Sequence, residues 1–361
     1  MERSRKMERM AEKRFRPTKP ITTEDNPTLK TVAAHIGLSP GTVSAVLNES
    51  PAARAIPART KDRIWAAARE LNYRPNFFAR TLRNKKTNTI GVIAQELGDA
   101  YGSVVISGSE RYLRSHNYFF MTVAHHHDPD MIEKYIRMLV ERGVEGFIAV
   151  DTFLDKAPPV PTVAIAGHRK LDGVTNVVLD HDHAAKIALL HLIELGHSKI
   201  GVLRGQPFSA DSKDRWTAIQ SASRRLGLEI PPERVVAMDR DDPSPQMGYE
   251  FTNRLMEQSR DFSAIFAYND IAAIGAIHAL REAGLRVPED VSVLGFDDIR
   301  EAAFQSPPLT TVVQPMQIMG EIAAQTLIDR IDNGLNAIPE IKIKPELVVR
   351  QSTARYSARS R

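Results

Sequence analysis

A small all-α unit followed by an α/β body of two doubly wound parallel sheets is the architecture this 361-residue chain predicts. Three observations carry that expectation. Apolar residues recur at helical spacing between Thr28 and Arg83, short apolar runs alternate with amphipathic helical stretches from Ile90 onward, and charge divides between the two regions. Residues 1–86 hold 19 Lys and Arg against 8 Asp and Glu, whereas residues 87–361 hold 29 against 36. Without residues 1–27 the first region still has 11 basic residues against 3 acidic ones. A basic helical head on an acidic body is the pattern of a nucleic-acid-binding module joined to a separate regulatory one.

Composition narrows the classes. Hydrophobic content is 42%, and no apolar run approaches the ~18 residues that span a membrane. No secretory apolar segment follows the charged start, so a cytoplasmic protein is expected. The chain has no Cys, which removes disulfides, thiolate metal sites and a Cys nucleophile.

Taken in order, residues 1–27 read as a disordered basic arm, poor in β-branched and aromatic residues. Leu29, Val32, Ala33 and Ile36 stripe a first helix that Gly37 breaks; Leu38 then returns to the core. Ser39 is a good N-cap and Pro40 fits the first helical position, so a second helix starts there. Val43, Val46 and Leu47 form its buried face, with Thr42, Ser44, Ala45 and Asn48 on its outer face. Two short helices across a Gly-containing turn make a helix-turn-helix, whose second helix enters the DNA major groove. A plain helical bundle is the competing reading of the same periodicity. Residues 49–57 read as a loop, and Ile64, Ala67, Ala68 and Leu71 stripe a third helix that Pro75 ends. Asn76 caps a short fourth helix, Phe77–Arg83, which cannot be stable alone and therefore suggests a hinge.

In the body, strands are expected at Ile90–Ala94, Tyr118–Ala124, Gly146–Val150, Thr162–Ala166, Lys199–Leu203, Val235–Met238, Ala264–Ala267 and Val291–Gly295. Helices are expected near 103–115, 129–142, 182–195, 211–226, 244–258, 270–283 and 316–333. About four strands fall on each side of a polar stretch at 167–181, which favours two lobes over one sheet of eight. Ligands in such folds sit at the carboxyl ends of the strands. No GxGxxG follows a strand and no P-loop is present, which disfavours a nucleotide-dependent enzyme. His125-His126-His127 and His181-Asp182-His183 invite a metal reading, but adjacent residues on a strand end point to opposite faces and no pair has helical i, i+4 spacing. No catalytic residue, metal or cofactor is expected.

The segments TVAAHIGLSPGTVSAVLN, ELNYRPN and FARTL, then IGVI, RGVEGFIAV, HLIELGHSKIGVL, AYNDIAAIGAIHALREAGLRVPEDVSVLGFDD and SPPLTTVVQP, together resemble the LacI/GalR family of bacterial transcription regulators over roughly residues 28–353. The resemblance implies a head-piece, a hinge helix and a two-lobed core like the periplasmic sugar-binding proteins. It also implies a homodimer, or a dimer of dimers, that binds a pseudo-palindromic operator. A small molecule between the lobes rotates them and changes operator affinity. The implied domains are 28–75 for DNA binding, 76–87 for hinge and linker, and 88–353 for the core, with a basic tail at 354–361. Lobe 1 would take about 88–166 and 314–336, and lobe 2 about 167–313 and 340–353.

By position, the resemblance places DNA contacts at Thr28, Ser39, Pro40, Gly41, Thr42, Ser44, Ala45, Asn48, Tyr73, Asn76, Arg80 and Leu82. Leu82 matches the family's minor-groove wedge, whose unstacking cost is recovered through contacts that the bent DNA permits. At Ala45 relatives often carry Arg or another polar residue; without a long donor, bidentate reading of guanine is lost there. Implied ligand contacts are Asp99 and Tyr101 after the first core strand, His125 at the cleft mouth, Arg215, the pair Asn269-Asp270, and Asp297. These polar groups suit sugar hydroxyls. The segment after Arg215 reads Trp-Thr-Ala-Ile where relatives have x-x-Gly-Phe, and the strand near Ala166 ends in AIAGHR, so the ligand departs from a typical hexose. The expected function is a ligand-controlled transcription regulator, most simply a repressor of sugar or related catabolic genes. A periplasmic-type sugar-binding protein without a DNA role is the alternative.

Overall fold

The computed structural model describes residues 27–74, 86–167, 169–206, 209–240 and 244–357. The chain divides into two units, Met1–Lys86 and Thr87–Arg361. Among the described residues of the first unit, three α-helices, α1 (Leu29–Ile36), α2 (Pro40–Leu47) and α3 (Ala58–Glu70), pack around a core of Val32, Val43, Val46, Leu47, Ile64, Ala67 and Ala68. Gly37 stops α1 in the left-handed region, at φ 69°, and its N–H closes the helix on Ala33 and Ala34. The expected loop after α2 holds a 3-10 turn, Pro51–Ala55, whose Ala53 joins the core.

The second unit contains two six-stranded sheets, where about four strands each were expected. The first uses β1 (Thr89–Ala94), β2 (Phe119–Ala124), β3 (Gly146–Val150), β4 (Thr162–Ile165), β5 (Val174–Leu179) and β11 (Glu340–Ile343), in the order β11-β5-β4-β3-β1-β2. The second uses β6 (Ile200–Arg204), β7 (Val235–Ala237), β8 (Ala264–Ala267), β9 (Ser292–Asp297), β10 (Thr310–Val313) and β12 (Glu346–Val348), in the order β12-β10-β9-β8-β6-β7. All pairings are parallel except β10 with β12.

Among the described residues of this unit, seven α-helices lie where the periodicity puts them. They are α4 (Ala100–Ser115), α5 (Pro129–Glu141), α6 (His181–Glu194), α7 (Ala210–Arg225), α8 (Pro245–Gln258), α9 (Asp270–Glu282) and α10 (Met316–Asn333). α4 and α10 cover one face of the first sheet, and α5 packs on the other through Leu139 and Val140 against Ile93 and Phe147. α8 and α9 cover one face of the second sheet, while α6 and α7 cover the other through Leu189, Leu192 and Ile219.

Four strands escaped the sequence reading, and they move the lobe boundary. β5 sits inside the stretch taken as polar linker and pairs with β4 and β11, so residues up to Leu179 and the later 340–343 belong to the first sheet. The chain thus passes between sheets at Asp180, at Gln314-Pro315 and at Lys344-Pro345.

Helix pairs on each sheet approach backbone to backbone. A Cβ at Gly108 on α4 would overlap the carbonyl oxygen of Gln317 on α10, and one at Gly275 on α9 would overlap that of Pro245 on α8. Neither obstacle is a side chain that can swing away. Gly275→Ala should therefore destabilise the core unit by about 1–3 kcal/mol, the usual range for overpacking, and lower its melting temperature by several degrees in calorimetry. An unchanged transition would refute the close approach.

Candidate functional site

The first candidate surface is the amino-terminal end of α2. Thr28 caps α1 through a reciprocal pair: its hydroxyl accepts from Thr31 N–H at 3.2 Å, and its own N–H donates to Thr31 Oγ1 at 3.2 Å. Ser39 caps α2 by accepting from Thr42 N–H at 3.1 Å, with the two hydroxyls 2.9 Å apart and Pro40 at the first helical position. Thr28, Ser39, Pro40 and Gly41 are exposed, and Thr42 is half-buried. A helix amino terminus favours phosphate oxygens.

Ser44 and Ala45 do not lie on an outer face. They are 9% and 8% exposed, because the eight-residue helix touches α1, α3 and the 51–55 turn at once. Ser50 N–H returns to the Ala45 carbonyl at 3.0 Å. Asn48 is half-buried, and its amide donates to the Ser44 carbonyl at 2.9 Å and the Ser44 hydroxyl at 3.2 Å. Tyr73 is half-buried against the three-helix core. Asn76, Arg80, Leu82 and the hinge helix lie outside the described residues.

The second candidate is a cleft at the carboxyl ends of the strands, lined from both sheets. Asp99 and Tyr101 enter it after β1, and Asp151 follows β3 directly. On the opposite side stand Asp211 and Arg215 of α7, Tyr268 and Asn269 after β8, and Asp297 at the end of β9.

Arg215 organises the second side. Its side chain is buried, with the guanidinium 3.5 Å from the Phe296 ring centre and 4.6 Å from that of Tyr268. Nη1 donates to the Tyr268 carbonyl and Nη2 to Asp211 Oδ2 at 3.4 Å. The other oxygen of Asp211 lies 3.2 Å from His181 Nε2. His181, once a metal candidate, is thereby a buried neighbour of the cleft. Among the described residues no group of three or more His, Asp or Glu could hold a metal ion.

Asp297 adopts φ 112°, a strained setting for a residue with a Cβ. Burial pushes its carboxyl well above the usual range; Arg215 opposes this, while Asp270, Asp211 and Asp99 add to it. Burial likewise raises the Tyr101 and Tyr268 phenols. The Tyr268 hydroxyl has Ser209 Oγ at 3.1 Å, whereas the Tyr101 hydroxyl is buried with no hydrogen-bond partner among the described residues. Asp99 and Asn269 serve double duty: they cap α4 and α9 through Gly102 N–H and Ala272 N–H and still line the cleft.

Two expected ligand contacts are corrected. His125 ends β2 away from the lining; its Nε2 sits 3.1 Å from Thr152 Oγ1, and burial lowers its pKa to about 4, so the ring stays neutral. Asp270 is fully buried, accepting from Thr311 Oγ1 at 2.6 Å and from Ile299 N–H at 2.9 Å. It ties α9 to strand β10 and to the segment that follows β9. Conversely, Asp151, Asp211 and Tyr268 were missed. Asp151 and Tyr268 immediately follow strands, and Asp211 precedes Arg215 by one helical turn, so strand-end and i, i+4 reasoning could have found all three.

Burial raises the Asp270 pKa to about 7, against roughly 3.9 in an unfolded chain. The fold therefore prefers the neutral acid, and this group costs stability progressively as pH rises from about 4 to about 7. Asp270→Asn should flatten that part of the stability–pH curve, read from chemical denaturation at pH 4.5 and 7.5. Equal slopes for the two proteins would contradict the assignment.

With this geometry in hand, comparison with known proteins is informative. Residues 28–76 match the family of bacterial regulatory proteins called the lacI family, and residues 189–353 match a periplasmic binding protein-like domain. The HTH-type transcriptional repressor PurR of Haemophilus influenzae is 34% identical over 337 residues, covering 90% of this chain and 98% of its own length. PurR of Photorhabdus laumondii is 32% identical over 334 residues, with 90% and 96% covered. Among solved structures, the lac repressor dimer bound to operator and the anti-inducer ONPF matches with TM-score 0.81 at 25% identity, covering 91% of this chain and all of that one. The transcriptional regulator CelR with cellobiose matches with TM-score 0.67 at 27% identity, covering 90% and 99%. A regulator from Enterococcus faecium with bound ribose matches with TM-score 0.65 at 28% identity, covering 74% and 100%.

Proposed function

This chain belongs to the lacI family of bacterial regulatory proteins, and from that premise we propose that it is a sequence-specific transcription repressor whose operator affinity is set by a small polar ligand in the cleft. The observation that carries the reading is the joining of two built surfaces in one chain. A basic three-helix unit presents a capped helix terminus, and a two-sheet unit presents a cleft with a fixed guanidinium. In this reading α2 enters the major groove of a pseudo-palindromic operator as one half of a homodimer. Ser39 and Thr42 meet phosphates, and Pro40 and Gly41 bring the backbone close. Leu82 serves as the minor-groove wedge, and the protein works in the cytoplasm. Repression accords with the names of the PurR relatives, and a sugar-like effector accords with the cellobiose and ribose complexes. The reading as a sugar-binding protein without a DNA role leaves the helix-turn-helix unexplained.

A mobility shift of the full chain on duplexes selected from random sequence tests this. Binding should weaken steeply and linearly in log salt, as counterion release requires. A chain that selects no sequence would refute the proposal. Leu82→Ala should weaken specific binding by about tenfold or more, roughly the few kcal/mol of a lost wedge, without altering ligand affinity. Arg215→Lys, which keeps the charge but loses the planar stack and fork, should reduce ligand affinity by about tenfold while operator affinity without ligand stays as it was.

A further inference from the structure

We propose, resting on the reading that this chain represses from an operator, that Glu145 is a positioning residue for specific DNA binding. It clamps the first residues of the core unit and so fixes the point from which the DNA-binding unit is tethered. The two units meet in the chain at Lys86 and Thr87. The sheet itself holds the strand that follows. Thr89 to Ala94 pair with β2, and the Asn88 carbonyl accepts from Phe119 N–H at 2.8 Å. Thr87 precedes this ladder.

Glu145 extends the hold to it. This residue lies between α5 and β3, and its N–H donates to the Thr89 carbonyl at 2.9 Å. Its Oε1 accepts from the backbone N–H of Thr87 and from that of Asn88 at 3.1 Å, with the Thr87 hydroxyl 3.2 Å away. The same hydroxyl donates to the Gly143 carbonyl at 2.5 Å. Gly143 sits at φ 79°, and a Cβ there would come within 2.8 Å of Thr87 Cγ2. Asn88 completes the turn at φ 47°, a left-handed setting in which Asn is enriched. One carboxyl oxygen thus gathers two consecutive N–H groups and a hydroxyl.

Capping a strand does not call for this. An accessible strand end can leave its N–H groups to water. Glu145 is half-buried, and its Oε2 is buried with no hydrogen-bond partner among the described residues, an arrangement that costs stability. What it secures is position. In the repressor reading, two DNA-binding units must meet half-sites at a fixed spacing. Once the first unit is bound, the effective concentration of the second falls as the free tether lengthens. Releasing Thr87 and Asn88 adds at most about 7 Å of reach on each chain, against roughly 3.4 Å for a base-pair step. The clamp therefore sets both affinity for a paired site and tolerance of half-site spacing.

The probe is the duplex that the unaltered full chain selects from random sequence, read by mobility shift well below the melting temperature of each variant. Glu145→Met, which keeps the length and removes the acceptor, should bind it about tenfold more weakly, the scale of a lost effective concentration. Glu145→Gln, which keeps an acceptor oxygen, should stay within about threefold of the unaltered chain. A duplex carrying a single half-site should bind all three chains equally. One base pair inserted between the half-sites should cost Glu145→Met less than it costs the unaltered chain. Should Glu145→Met not fold, Thr87→Val, which keeps the shape and removes the hydroxyl, is read in the same way. Equal affinity of Glu145→Met and the unaltered chain for the paired site overturns the clamp and leaves the repressor reading standing. So does an equal loss on the single half-site, an unchanged spacing penalty, or a loss in Glu145→Gln as large as in Glu145→Met. An unaltered chain that selects no sequence overturns both.

Discussion

The cleft depends on where one guanidinium is held. Arg215 reaches from α7 across the ends of two neighbouring strands, onto Phe296 of β9 and the Tyr268 carbonyl after β8. A buried cation is costly unless it is paired. Here Asp211 and a backbone carbonyl meet two of the donors and two aromatic faces cover the plane, while Arg215 Nε is buried with no hydrogen-bond partner among the described residues. Burial raises the Asp297 carboxyl against the opposing pull of Arg215, and its backbone ends β9 at φ 112°.

The three passages between sheets place the cleft's two halves in one unit. Asp180, Gln314-Pro315 and Lys344-Pro345 lie side by side because β5 pairs with β11, and Asp180 N–H donates to the Ile343 carbonyl at 2.8 Å. β12 pairs with β10 in the second sheet just two residues after β11 ends in the first. A ligand between the sheets thus touches strand ends from both, and neither sheet alone contains the full set of polar groups. That is a sound basis for coupling occupancy to the relation between lobes.

Much of this was legible beforehand. Helix periodicity placed all seven helices of the body within a few residues, and Ser39-Pro40 announced the start of α2. Strands buried on both faces, such as Gly146–Val150, read as short apolar runs. Edge strands did not: Glu340–Ile343 alternates exposed and half-buried residues, and its pattern resembles linker until β5 is seen beside it. Ser44 and Ala45 were misplaced because an eight-residue helix touching three elements has no broad outer face. Asp270 and His125 were misread as ligand groups because a polar residue at a helix start or just after a strand satisfies neighbouring protein groups as readily as a ligand.

By itself, the sequence determined what local physics determines. Apolar spacing set the elements, capping residues set helix starts, and the charge division separated a basic head from an acidic body. Only the tertiary structure decided which polar residues share one cavity. Asp211, Asp151 and Tyr268 are distant in sequence and unremarkable in composition, and they converge because parallel strands end together. The same convergence decided the charge of the cleft. The excess of acidic side chains over one guanidinium in the lining is a property of assembled strand ends, and no single segment carries it.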